Sequence, residues 1–154
     1  MIALAGAFVF GQSKYSMYSN ARFAYSIGFP ADLLEMQAES TNGDGTTFIS
    51  KGGSAEMRVW GQLNALNRSL REEYAEALTR PDTTITYKSL LKNGFAISGT
   101  AGDKIYYQKT LYRASKGGVF YTFTIEYPLA ERSKFDAAVQ HIVRSFRFDP
   151  TADV

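Results

Sequence analysis

Between Val119 and Tyr127 every second residue is large and apolar: Val119, Tyr121, Phe123, Ile125 and Tyr127 alternate with Phe120, Thr122, Thr124 and Glu126. A period of two is that of a strand with one face on a core and the other at least partly wet. In "SAEMRVWG", Ala55, Met57 and Val59 alternate with Glu56, Arg58 and Trp60, which predicts a second half-buried strand. The period changes near the C-terminus. In "SKFDAAVQHIVRSF", Phe135, Ala138, Val139, Ile142, Val143 and Phe146 form one apolar stripe at helical spacing. "NRSLREEYAEALTRP" repeats that spacing with Leu70, Tyr74, Ala77 and Leu78. Ser69 and Glu72 predict a capping box at its start, and Pro81 predicts its end.

Turn chemistry divides the remaining apolar runs. "TITYKSLLKN", "GFAISGT", "DKIYYQKTLYR" and "GVFYTFTIEY" are separated by Asn93-Gly94, "AGD" and "SKGG", which predicts an antiparallel meander. Earlier in the chain, "NARFAYSIGFP" reads as strand ended by Pro30, "LLEMQ" as a short strand, and "TNGDG" as a reversal into "TTFISK". Pro30 and Pro128 act as punctuation, because proline has no N–H to donate to a ladder. Strands, a helix, more strands and a packed last helix make an α+β fold, an antiparallel β-sheet flanked by helices. No linker or fixed-period repeat interrupts residues 14–148, so one domain is expected there, with 149–154 as a C-terminal tail.

The apolar run from Ile2 to Phe10 has no basic start and is far too short to span a bilayer. With Ala5, Gly6, Ala7 and Gly11 close by, residues 1–13 read as the remnant of a signal peptide, the alternative being an apolar tail on the core. A periplasmic or secreted protein is therefore expected, with the cytoplasm as the alternative and no transmembrane segment.

Composition then removes several kinds of chemistry. The 154 residues contain no Cys, which excludes disulfides, thiolate nucleophiles and cysteine metal sites. A net charge of +2 is too weak to indicate nucleic acid. Its distribution is more informative: Asp32, Glu35, Glu39 and Asp44 stand without a basic neighbour, whereas Lys88, Lys92, Lys104, Lys109, Arg113 and Lys116 face Asp103 alone. Such a basic segment suits an acidic partner, and equally suits strand edges kept charged against unwanted pairing.

The single histidine, His141, falls on the outer face of its helix near Lys134 and Arg144, where solvent rather than a catalytic partner surrounds it. "NGDG" at Asn42 to Gly45 lacks the further oxygen ligands of a calcium loop, and "GTAGDK" at Gly99 to Lys104 lacks phosphate-loop spacing and a following helix. No catalytic constellation and no cofactor site are expected. The positions with the chemistry of a binding face are Lys104, Tyr106, Lys109, Tyr112 and Arg113 in one hairpin, together with Trp60: aromatic platforms flanked by cations.

Taken together, "YSNARFAYSIGFPADLL", "NGDGTTFISKGGSAEMRVWG", "ISGTAGDKIYYQK", "FTIEYP" and the closing "IVRSF" resemble small exported bacterial proteins of the PsbP-like superfamily. That fold is shared with the Ran-binding Mog proteins and DcrB-like adaptors. The resemblance implies an α/β/α sandwich used as a scaffold for binding other proteins rather than for catalysis. The chain departs from these relatives in having too few histidines for a PsbP-type metal site and a basic balance unlike a Ran contact. The function expected is a non-catalytic adaptor for a protein partner; the alternative is a carrier holding a small apolar or glycan ligand between sheet and helix.

Overall fold

The computed structural model describes residues 14–154, so the apolar run at residues 1–13 and its reading as a signal remnant lie outside the described residues. Strand β1 (Tyr15–Asn20) turns back into β2 (Tyr25–Pro30), which ends at the proline as expected. Then come β3 (Leu34–Met36), β4 (Gly45–Ser50), β5 (Glu56–Leu63) and helix α1 (Leu70–Ala77). The meander follows as β6 (Thr84–Leu91), β7 (Gly94–Ala101), β8 (Lys104–Arg113) and β9 (Val119–Pro128). A short 3-10 turn (Leu129–Glu131) leads into α2 (Arg132–Ser145), and β10 (Arg147–Phe148) closes the architecture.

The class is α+β and the pairing is antiparallel throughout, but the strands divide between two sheets. Seven strands form one sheet in the order β3-β4-β5-β9-β8-β7-β6, and β1-β2-β10 form a smaller one. The division was not visible in the local pattern because a two-residue strand such as β10 leaves no periodic signal.

The odd positions of β9 and β5 and the apolar stripe of α2 build the main core. Val119, Tyr121, Phe123, Ile125 and Tyr127 meet Met57 and Val59, Phe135, Val139 and Ile142 of α2, and Tyr25, Ile27 and Phe29 of the small sheet. Aromatic pairs knit these layers together: Phe29 sits 4.6 Å from Phe48, and Tyr127 stacks on Phe135 at 5.1 Å. On the opposite sheet face a smaller core forms, where Phe95, Ile97 and Tyr106 are covered by Leu70, Tyr74, Ala77 and Leu78 of α1. The capping box read from the sequence is present: Ser69 Oγ accepts from the Glu72 backbone N–H at 3.2 Å, and the Ser69 backbone N–H donates to the Glu72 carboxylate at 2.7 Å.

Residues 149–154 do not leave the domain. The Asp149 N–H donates to the Ala24 carbonyl at 2.8 Å, and the Ala152 carbonyl accepts from Arg113 Nη1 at 3.0 Å.

Candidate functional site

Strand alternation decides where the six sequence-derived candidates go. In β8 the odd positions Ile105, Tyr107 and Leu111 pack on the main core, so Lys109 and Arg113 share that side. The even positions Lys104, Tyr106 and Tyr112 face the α1 side, as does Trp60 of β5. The structure thus splits the expected patch between two faces of the sheet.

The two cations on the main-core side are engaged within the molecule. Lys109 Nζ donates to the Val143 carbonyl in the last turn of α2 at 3.3 Å. A cation there satisfies a carbonyl that has no partner within its own helix; burial lowers the lysine's pKa. Arg113 is buried and donates to the C-terminal segment. That segment is shaped by Asp149, whose carboxyl is held below the usual range chiefly by hydrogen bonds from Thr151 and also by nearby Arg113.

On the α1 side, Tyr106 is 2% exposed. Its hydroxyl donates to Gln108 Oε1 at 2.6 Å, Gln108 donates on to Thr110 at 3.2 Å, and Thr110 meets Thr122 at 2.9 Å. Burial is the main reason the Tyr106 pKa is raised. Its ring is closed off by Arg80, which is also paired with Glu126. Tyr112 is stacked on Phe120 at 4.7 Å and Lys104 is half-exposed at the β7–β8 turn. Of the candidates, Trp60 and Tyr106 border a sizeable concavity, and the Tyr106 ring is covered there by Arg80.

That concavity arises because α1 stands over β6, β7 and β8 and leaves the β4–β5 side of the same face open. A cleft of ≈ 450 Å³ lies between the sheet and the end of α1, walled by Trp60, Arg58 and Arg80 with Gln108 and Thr124 on its floor. A second hollow of ≈ 210 Å³, beside Ser40, Asp44 and Thr47, shares Arg58 and Trp60 with the first. The register aligns Thr47 with Arg58, Arg58 with Thr124 and Thr124 with Gln108, so the groove runs across the strands.

The other unusual surface is the outer edge of β6; the sequence suggests a charged sheet edge but not which strand lies outermost. Here eight residues end the seven-stranded sheet. Tyr87 and Leu91, 52% and 55% exposed, lie on one side of that strand, with Lys88 exposed on the strand and Lys92 exposed in the turn that follows it. The opposite edge, β3, is three residues long and exposes Glu35. The signal available in the sequence was the acid-free run from Thr83 to Lys92; that this run forms an edge is a property of the sheet order.

His141 is exposed and stacks on Tyr15 with ring centroids 3.5 Å apart. Among the described residues no group of three or more His, Asp or Glu side chains is placed to hold a metal ion, and no helix is long and apolar enough to cross a membrane.

The sequence matches no family model and no curated protein. In three dimensions the chain is similar to cyanobacterial PsbP (CyanoP) from Synechocystis, with 9% identity, a TM-score of 0.59 and coverage of 95% of this chain and 99% of that one. It is likewise similar to the Ran-binding protein Mog1p of Saccharomyces cerevisiae, with 9% identity, a TM-score of 0.59 and coverage of 89% and 96%. LpqN, involved in cell envelope biogenesis of Mycobacterium tuberculosis, matches with 13% identity, a TM-score of 0.60 and coverage of 91% and 93%. At such identities the likeness is one of fold, and the chain has the PsbP/Mog-like fold.

Proposed function

We propose that the protein is a non-catalytic binding module whose protein partner adds an extended, acidic segment to the open edge of β6. The observation that carries this reading is the edge itself. The outer edge of β6 offers backbone donors and acceptors to an eighth strand, in regular register from Tyr87 to Leu91 beyond the irregularity between Ile85 and Tyr87, and its lysines discourage pairing with a like-charged strand while leaving it open to an acidic one. Tyr87 and Leu91 supply apolar contact for alternate side chains of the incoming strand. Lys88 and Lys92 set its charge, because two copies of β6 brought together would oppose like charges. Lys104, at the same end of the sheet as Thr84, extends the cationic border. The likeness to a protein described as Ran-binding agrees with a scaffold for protein contacts. Export, supported by the apolar run from Ile2 to Phe10, belongs to the same proposal and is checked by fractionating cells that express the gene.

The test places a photo-crosslinking amino acid at Tyr87 or Leu91 in cells, with Met36, exposed on the opposite edge strand, as control. A partner adduct at the β6 positions, absent at Met36 and lost in the Lys88→Glu/Lys92→Glu variant, is the expected result. Equal adducts at Met36, or adducts indifferent to charge reversal, reject the edge as the docking surface.

A further inference from the structure

The groove beside α1 is separate from the β6 edge and has its own chemistry. We infer that it binds a neutral saccharide, with a sugar ring stacked on Trp60 and its hydroxyls held by Arg58, Thr124 and Gln108. The charge balance of the walls is the first reason. Arg58 is paired with Glu56, Arg80 with Glu126, and Glu76 with Arg68, so the groove's ions are already compensated. A charged ligand would have to compete with those pairs, whereas hydroxyl groups can hydrogen-bond to them without breaking them.

The aromatic surface is the second reason. The Tyr106 face is occupied by Arg80 at 4.1 Å, which leaves Trp60 as the half-exposed ring shared by both hollows. A flat indole bordered by polar side chains presents apolar surface to the C–H face of a sugar and hydrogen-bonding groups to its rim, the combination that suits a ligand with one apolar and one polar aspect.

Polar capacity on the floor is the third. The hydroxyls of Thr124 and Thr47 make no side-chain hydrogen bond among the described residues, and Gln108 retains donor and acceptor capacity beyond its bonds to Tyr106 and Thr110. The two hollows together exceed the lower bound of about 300 Å³ usual for small-molecule sites, and their shared wall lets one chain of sugar rings cross from one to the other.

The protein carries its own reporter, since Trp60 is the only tryptophan in the chain. The full chain is titrated with cellotetraose, maltotetraose and the N-acetylglucosamine tetramer while Trp60 emission is followed. The expected result is a saturable change with at least one of them that persists at high salt. Calorimetry should show it weakened by about tenfold or more in Arg58→Ala and Thr124→Val, and unchanged in Lys51→Glu, an exposed turn position. Arg58 is exposed and Thr124→Val is isosteric, so both variants should fold; unchanged thermal transitions establish that they do. Three outcomes overturn the inference: no saccharide perturbing Trp60 at millimolar concentration, affinity unaltered in both groove variants, or binding confined to acidic polysaccharides and abolished by salt.

Discussion

The guanidinium carbon of Arg80 stands 4.1 Å from the centroid of the Tyr106 ring while the same side chain pairs with Glu126. Arg80 is thus the lid of the smaller core, shielding a tyrosine that α1 does not fully cover. Truncation to Ala removes a cation–π contact and the apolar stem that carries it, at a cost of about 1–2 kcal/mol. Thermal unfolding should shift down by about 2–4 °C per kcal/mol for a domain of this size. An Arg80→Ala midpoint within error of the wild type contradicts this role.

Gly61 is fixed by a close approach. A Cβ at this position would lie 2.5 Å from Cγ of Phe23, a buried ring packed from the β1–β2 turn onto β5. Gly61→Ala must push that ring away, with an expected loss of about 1–3 kcal/mol, read from chemical denaturation. Phe23→Leu in the same background should recover part of the loss, and failure to do so places the strain elsewhere.

Helix α1 has eight residues and none of them is buried, so its start depends on the Ser69–Glu72 box. Ser69→Ala should cost about 1 kcal/mol and raise amide exchange across Leu70–Ala77 before it affects β9. The pH dependence follows from the same contacts. Hydrogen bonds from the Ser69 backbone and side chain lower the Glu72 pKa below its ordinary 4.5. The stabilisation is present above that value and is lost as pH falls through the folded-state pKa. Exchange in α1 that is indifferent to acid, or unaltered by Ser69→Ala, rules out this dependence.

Alkali should act through the tyrosines. Burial, the largest cause, pushes Tyr107 and Tyr18 up to about 12, with the Glu39 hydrogen bond adding to the shift at Tyr18. Burial raises Tyr25 and Tyr127 in the same direction. A phenol whose folded pKa lies above its unfolded value of 10.0 gives stability that is complete below that pH and is lost as pH rises towards about 12. Ultraviolet titration of the ten tyrosines should show two classes, the later one ionising together with unfolding. A single class near pH 10 in folded protein disproves the shifts.

The elements were legible because the core imposes its period on the chain. Alternation in β5 and β9 and the stripe in α2 marked the faces that are buried, and Pro30, Pro128 and the capping box marked ends. The surface was less legible than the core, for two physical reasons. Lys109 and Arg113 share a cation-and-aromatic composition with Tyr106 and Tyr112, but their odd numbers set them on the opposite side of β8, and parity rather than composition decides which side chains meet. The groove at Trp60 and the open edge at β6 depend on where α1 lands and on which strand is outermost, and those are set by contacts between distant segments. Tyr106 shows the middle case: its parity separated it from the main stripe, yet only the second core beneath α1 explains why it is buried.

Strand β10 pairs with β2, Arg147 with Ser26 and Phe148 with Tyr25, and Phe148 stacks on Tyr121 at 4.7 Å. The small sheet is therefore made from the first and last strands of the described chain. While the polypeptide is being synthesised, or threaded through a narrow channel, Tyr25 and Tyr121 lack the residues that cover them until position 148 has emerged. Contacts of such sequence separation form late. The last strand thus completes the small sheet, and the cover over Tyr25 and Tyr121 is the part of the core that closes last along the chain.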